Sequence, residues 1–211
     1  MTGLFLALLL PAVPAVASVE DASALAAYVR ARAADSAGSV EQAAGNYAAA
    51  LALAPQNEVL AARALSQAIA AGDRTLALQA ARVLDSSGKL APDGRLLLIG
   101  DAFRSKQWKE AGAQIERLEQ DEVFSFMTPL LRAWLAQGSG KGDPLALLQG
   151  ASGNALTSTY ASEHRPLLLL ARGKAKEGAA ALAPLLDDPS IRSQRLRIAA
   201  AAIVARKSGR S

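Results

Sequence analysis

The sequence predicts an all-α protein in which antiparallel helix hairpins stack side by side into an α-solenoid. Three observations favour this fold class: an alanine-rich composition, small apolar residues that recur every 34 positions, and turn residues that recur with the same period. Hydrophobic residues make up 51% of the 211-residue chain, but aromatic residues only 4%. Because alanine has the highest helix propensity and no β-branch, this composition favours closely packed helices over a sheet. The chain has no cysteine, so we expect a fold that does not depend on disulfides.

The first 17 residues are expected to be a secretory signal peptide that lies outside the fold. Residues 1–17 carry no charged side chain, and two prolines interrupt their short apolar core. The small residues at 15–17 suit a cleavage site, so we expect the mature chain to begin near Ser18. The segment is too short and too rich in proline to span a bilayer. A short buried or membrane-associated helix is the alternative, and a lipoprotein anchor is excluded because no cysteine lies near the cleavage site.

A 34-residue period relates several apolar positions and one turn position. Ala43, Tyr47 and Ala50 are spaced by four and then three residues, which places them on one face of a helix. Steps of 34 give five columns: Ala31, Leu65, Ile99, Ala133 and Leu167; Ala34, Ala68, Ala102, Ala136 and Leu170; Ala43, Ala77, Ala111, Leu145 and Ala179; Ala50, Leu84, Leu118, Ser152 and Leu186; and the turn residues Gly38, Gly72, Lys106, Gly140 and Lys174. Because no single hairpin buries both of its faces, stacked neighbours must supply the stability.

This period divides a repeat domain over 18–207 into hairpin units and a final helix. The units are expected at 24–57, 58–91, 92–125, 126–159 and 160–193, followed by a helix at 190–207 and a tail at 208–211. In the first unit, we expect Tyr47 to fill the gap between stacked hairpins and Pro55 to join one hairpin to the next. Pro55 and Pro92 fall between hairpins, where a proline removes no helical hydrogen bond.

The later units depart from the pattern in two places. The second helix of the fourth unit, PLALLQGASGN, is expected to be short because it ends in glycines. The final helix carries three arginines near its start, followed by the apolar run IAAAAIVA. A capping helix needs a polar outer face, so this run favours a docking end or an interrupted array over a cap.

One part of the first unit, AAGNYAAALALAP, closely matches a known repeat. It has a small–aromatic–small–proline order at Ala43, Tyr47, Ala50 and Pro55. In this order and in its period, the chain resembles the tetratricopeptide repeat (TPR) family over about residues 24–207. Segments 71–88 and 106–121 are similar to the family's turn and second helix, whereas the Trp, Leu, Gly and Tyr expected early in the first helix are mostly replaced by Ala, Leu and Ile. The resemblance implies a right-handed superhelix whose first helices line a concave face, and a non-enzymatic scaffold that binds a protein or peptide segment.

The resemblance also indicates which residues line the concave groove. Carried over by register, these are Tyr28, Arg32 and Asp35 in the first unit, Phe103 and Arg104 in the third, and Trp134 in the fourth. The two arginines are expected to pair with carboxylates of the partner. For Trp134, and for Trp108 at the start of a second helix, core packing is the first expectation and ligand contact the alternative.

Two stretches superficially suggest nucleotide or catalytic chemistry but do not have the residues that it needs. In AQGSGKGD (136–143), a phosphate-binding loop would need a glycine and a Ser or Thr where Leu135 and Gly142 stand, so we expect a turn between helices. His164 is the only histidine, and Ser162, two residues earlier, would face another direction on a helix. An enzyme whose site forms only in three dimensions is the remaining alternative. We expect no catalytic residue, no cofactor and no bound metal.

Charge is distributed unevenly along the chain, whose net charge is +4. Residues 1–164 include 13 basic and 16 acidic residues, whereas residues 165–211 include 10 basic and 3 acidic ones. Such an asymmetry indicates a surface for an acidic partner, an anionic lipid or nucleic acid; ordinary solvation of exposed helix faces is the alternative. No aromatic residues are interleaved with these basic ones, which disfavours single-stranded nucleic acid.

These features together predict a binding scaffold exported to the bacterial periplasm. The expected partner is a protein or peptide, with no nucleic acid and no integral membrane span in the mature chain. The alternative is a structural subunit of a bacterial envelope complex that docks or self-associates through the final helix.

Overall fold

The computed structural model of the chain describes residues 19–121, 123–149, 155–187 and 189–209. Within these ranges every regular element is a helix, which confirms the predicted all-α class. The predicted signal peptide at 1–17 and the last two residues of the predicted tail lie outside the described residues. The chain divides into two compact units, Met1–Ser87 and Gly88–Ser211.

The N-terminal unit consists of two helix hairpins. Its helices are α1 (Val19–Ser36), α2 (Val40–Leu53), α3 (Glu58–Ala71) and α4 (Arg74–Ser86). Helix α1 packs on α2 and α3 packs on α4, and the two hairpins meet where α2 packs on α3. Two side chains start the second hairpin by satisfying free backbone N–H groups: the Asn57 side chain accepts from the first turn of α3, and the Asp73 side chain accepts from the first turn of α4.

Tyr47 lies fully buried in this unit. Its ring centroid is 6.2 Å from that of Tyr28 on α1, and its hydroxyl donates to the Asp35 carboxylate at 3.3 Å. The same carboxylate accepts from the side-chain amide of Gln67 on α3 at 2.8 Å. Asp35 therefore links the first hairpin to the second. Burial, together with the nearby Asp35 charge, raises the pKa of the Tyr47 phenol.

Within its described residues, the C-terminal unit contains seven α-helices and two short 3-10 helices, Ser125–Met127 and Ala183–Leu185. The α-helices are α5 (Pro92–Arg104), α6 (Trp108–Glu119), α7 (Thr128–Ser139), α8 (Pro144–Gln149), α9 (Ala155–Ala171), α10 (Ala175–Leu182) and α11 (Ile191–Lys207). Neighbours in sequence pack as hairpins: α5 with α6, α7 with α8, and α9 with α10. Helix α9 also contacts both α7 and α11, so α9 lies at the centre of this part of the unit.

The turns that follow α1, α3 and α5 share one hydrogen-bond pattern, which explains why left-handed residues recur there. At Gly38, Gly72 and Lys106 the backbone has φ of 72°, 71° and 56°. In each case the following N–H donates to the carbonyl five residues earlier, and the turn residue's own N–H donates to the carbonyl three residues before it. This is the Schellman motif, which places one residue in the left-handed region. Lys106 is the one described non-glycine residue with positive φ.

The positions related by 34 residues keep similar environments on the first helices of the hairpins. All ten members of two columns are buried: Ala31, Leu65, Ile99, Ala133, Leu167, Ala34, Ala68, Ala102, Ala136 and Leu170. The columns on the second helices keep this burial only in the first three units, since Leu145 is half-buried and Ala179 is exposed. The architecture is therefore helical and repeat-like.

The turn and the second helix of the fifth hairpin are shifted by one residue relative to the period. Its left-handed turn residue is Gly173, with φ of 83°, rather than Lys174 in the predicted column. The buried position on α10 is accordingly Gly178 instead of Ala179. A Cβ on Gly178 would lie 2.8 Å from the side chain of Leu170, so a glycine is needed where α9 and α10 approach closely. Helix α9 also begins at Ala155, five residues before the predicted start of this unit.

Candidate functional site

A cavity of about 500 Å³ lies within the C-terminal unit. Five helices contribute to its wall, which is formed by Phe103, Trp108, Trp134, Gln137, Gly138, Ala171, Ala202, Ile203, Arg206 and Lys207. The volume falls within the range of about 300–1,000 Å³ that is typical of ligand sites, which are mostly apolar with a few placed polar groups. The cavity wall fits the description of a ligand site, because it combines three aromatic rings and several small residues with two cationic side chains.

The first part of the wall is an aromatic pair that connects α5 and α6. The ring centroids of Phe103 and Trp108 are 6.2 Å apart and tilted by 53°, a geometry that aromatic pairs prefer over face-to-face stacking. The Trp108 indole lies against the backbone of α7 at Gly138, where an added Cβ would be 2.5 Å from the indole ring. The absence of a side chain at Gly138 therefore leaves room for the Trp108 indole beside the cavity.

The second part of the wall is Trp134, which is oriented by the single histidine of the chain. The indole Nε1–H donates to His164 Nδ1 at 2.8 Å. Because an indole N–H can only donate, Nδ1 must be the accepting nitrogen, and the imidazole carries its proton on Nε2. Burial lowers the pKa of His164, so the neutral form that this hydrogen bond requires is favoured. His164 thus fixes an aromatic side chain.

The charged part of the wall comes from the last turn of α11. Arg206 and Lys207 both line the cavity. The helix dipole contributes about half a negative charge at a C-terminus, which is less than the two unit charges of these side chains, so the local field stays positive. A Cβ on Gly173 would lie 3.1 Å from Lys207 Nζ, which shows that this amine extends over the turn between α9 and α10.

The predicted groove residues of the C-terminal unit fall into two groups. Phe103 and Trp134 both line the cavity, although they come from different predicted repeats. Arg104 is exposed on the last turn of α5 and does not line it. Trp134 packs against the core, as first expected, and it also borders the cavity.

The predicted groove residues of the N-terminal unit have different roles. Asp35 is occupied by its hydrogen bonds from Tyr47 and Gln67, while Arg32 is exposed. Tyr28 borders a second cavity, of about 390 Å³, between α1 and the start of α3. This cavity brings together no cationic side chain, because its lining residues are Ala24, Leu25, Tyr28, Ala54, Asn57, Val59 and Leu60.

Sequence reasoning missed the contribution of α11 to the candidate site. In the sequence, Arg206 and Lys207 are simply part of the basic segment 165–211, and their neighbouring residues do not indicate a cavity. For Trp108, ligand contact is only an alternative in the sequence analysis, and its position at the start of a second helix is the feature that drew attention to it. Gly138 was not singled out, since its role depends on an indole that arrives from another helix.

Among the described residues, no group of three or more His, Asp or Glu side chains is placed to hold a metal ion. None of the helices in the described ranges combines the length and the hydropathy needed to cross a bilayer. No family model, curated protein or solved structure matches this chain significantly.

Proposed function

We propose that this protein is a non-enzymatic binding scaffold that captures a segment of a partner protein in the cavity of its C-terminal unit. The observation that carries the proposal is the combination of Phe103, Trp108 and Trp134 with Arg206 and Lys207 around one cavity. Aromatic rings provide large apolar contact areas, and the two cations favour acidic groups beside the anchoring side chain. The expected ligand is a peptide segment with a large apolar residue next to Asp or Glu.

The pre-formed wall supports this proposal energetically. Burying one large apolar side chain contributes roughly 1.5–3 kcal/mol, and association must also overcome the loss of freedom of both partners. The two indoles are already held in place, Trp134 by His164 and Trp108 by its packing on Gly138. The receptor therefore loses little side-chain entropy when it binds. Several contacts along the segment are still needed for micromolar affinity, which corresponds to about 8 kcal/mol.

The architecture in which we place this site is a right-handed TPR-like solenoid in an exported protein. Support comes from the buried 34-residue columns of the first helices and from the shared turn geometry. Export to the bacterial periplasm is supported by the sequence of residues 1–17 alone. Expression of the full chain in a bacterium, followed by mass measurement of the periplasmic product, tests this: a mature chain that starts near Ser18 is expected, and an uncleaved cytoplasmic product contradicts it.

Selection of peptides from a random displayed library tests the binding proposal. Wild-type protein is expected to enrich segments that pair an apolar side chain with acidic residues, and titration of one such peptide should change the emission of both tryptophans. Ala202→Phe adds a ring at an exposed position of the cavity wall and should weaken binding at least tenfold. Arg32→Glu, in the N-terminal unit, is the matched control.

The variants separate the cavity from the other predicted groove residues. Unchanged binding in Ala202→Phe, with loss in Arg32→Glu, would move the site to the N-terminal unit. Unchanged binding in both variants, or a library that yields no enriched segment, would contradict peptide capture by either set of residues.

A further inference from the structure

Helix α11 has apolar residues on two opposite faces. Its inner face is buried in the unit through Leu196 and Ala200, which pack in a core cluster with residues of α9 and α10. On the opposite side, Ile191 is 70% exposed and Ile198 is 69% exposed. Residues seven positions apart lie close to one line along a helix, so the two isoleucines form an outward ridge.

The helix that carries this ridge is rich in basic residues. The helix Ile191–Lys207 contains five basic residues and no acidic residue. Arg195 lies between the two isoleucines on the outer side and is exposed. Arg197, farther round the helix, donates to the carbonyl oxygen of Leu186 at 2.7 Å, and Arg192 pairs with Glu163 of α9. Arg195 is therefore the basic residue of α11 that stands beside the exposed apolar line.

We propose that the outer face of α11, defined by Ile191, Arg195 and Ile198, docks on an anionic phospholipid surface. The isoleucine side chains enter the boundary between headgroups and acyl chains, and the Arg195 guanidinium group lies at the level of the lipid phosphates. Binding of a helix to a membrane surface in this orientation scales with the apolar area buried in the interface and with electrostatic attraction to anionic lipids. The helix lies on the bilayer rather than across it, since 17 residues with five charges do not suit a span.

Charge decides between this partner and a second copy of the chain. Two copies that pair through the outer face of α11 would bring Arg195 of one copy towards Arg195 of the other, with no acidic residue on either helix, and like charges in contact disfavour such an interface. An acidic protein satisfies the charge but needs a shape that accepts a protruding aliphatic ridge. A fluid lipid surface accepts the ridge without a matching pocket, which is why we favour it.

The proposal is tested separately from peptide capture, because Ile191, Arg195 and Ile198 do not line the cavity. Its test is sedimentation of the full chain with vesicles of 30% phosphatidylglycerol in phosphatidylcholine, compared with pure phosphatidylcholine. Binding only to the anionic vesicles is expected, and it should weaken in 0.5 M salt because free ions screen the attraction. A basic residue near such a surface contributes about a fivefold gain in partitioning, so Arg195→Glu should weaken binding by about 25-fold.

Two matched controls distinguish the outer face of α11 from the protein's charge and hydrophobicity in general. Arg30→Glu on α1 makes the same change in net charge at another exposed position and should have less than about a twofold effect. Ile198→Asp should weaken binding at least about tenfold, whereas Val29→Asp, at a position that is 58% exposed, should not. Circular dichroism of each variant checks that the fold is kept.

Several outcomes would overturn the proposal. Equal losses in the α11 variants and the α1 controls would mean that only net charge matters. Absence of binding to anionic vesicles would exclude a lipid surface. If vesicles do not bind but polyglutamate does, an acidic protein takes the place of the lipid. If Ile198→Asp abolishes a dimer seen by sedimentation, the outer face pairs with a second copy.

Discussion

Replacing Lys106 by glycine should stabilise the C-terminal unit, although it removes a side chain and adds none. Lys106 has a φ of 56° in a turn that has the same hydrogen bonds as those at Gly38 and Gly72. A left-handed conformation costs a residue with a Cβ about 1–2 kcal/mol. Glycine removes this cost, but it also gives the unfolded chain more freedom, which offsets about 0.4–1 kcal/mol. The expected net gain in the free energy of unfolding is about 0.5–1 kcal/mol.

Urea denaturation followed by tryptophan fluorescence measures this gain. Both tryptophans, Trp108 and Trp134, lie in the C-terminal unit, so their emission reports on its unfolding. With a denaturant slope of about 2 kcal/mol/M, the midpoint should rise by about 0.3–0.5 M urea. Gly140→Ala is the opposite control in the same unit, because Gly140 has a φ of 72° and an added Cβ would contact nothing. Its midpoint should fall by a similar amount.

A third variant separates backbone conformation from the loss of the lysine side chain. Lys106→Ala keeps a Cβ and should leave the midpoint close to that of the wild type. If Lys106→Ala gains as much as Lys106→Gly, removal of the charged side chain explains the effect. If Lys106→Gly lowers the midpoint, the argument from turn geometry is refuted.

Three further predictions concern side-chain packing inside each unit. Burial lowers the pKa of His164, so the unfolded state binds more protons below pH 7, and the free energy of unfolding should fall as the pH drops towards 5; urea midpoints at pH 7.5 and 5.5 should differ less in His164→Gln. Gly138→Ala places a Cβ 2.5 Å from the Trp108 indole and should destabilise the C-terminal unit by about 1–3 kcal/mol, with a shift in tryptophan emission as the readout. Asp35→Ala removes the carboxylate that accepts from the buried Tyr47 hydroxyl and should cost about 1–3 kcal/mol, seen as a lower thermal midpoint by circular dichroism.

Much of the candidate site could not be read from residue spacing, although two of its members were predicted. Phe103 and Trp134 are groove positions that the resemblance implies, and both line the cavity. Arg206 and Lys207 join them because α11 packs on α9, which packs on α7. No periodic pattern encodes which side chains from such distant segments face one another. The hydrogen bond from Trp134 to His164 also could not be predicted from a periodic pattern, because it joins two residues that are 30 positions apart.

What the sequence determined by itself is the helical class, the turns and the buried columns of the first helices. These are local properties: alanine favours helix, a left-handed residue ends a helix, and regular spacing places residues on one face. Only the tertiary structure decided the one-residue shift of the fifth hairpin, the aromatic cavity with its two cations, and the outward ridge of α11. Each of these depends on which helices meet and how closely, and contacts between distant segments are set by packing rather than by local preference.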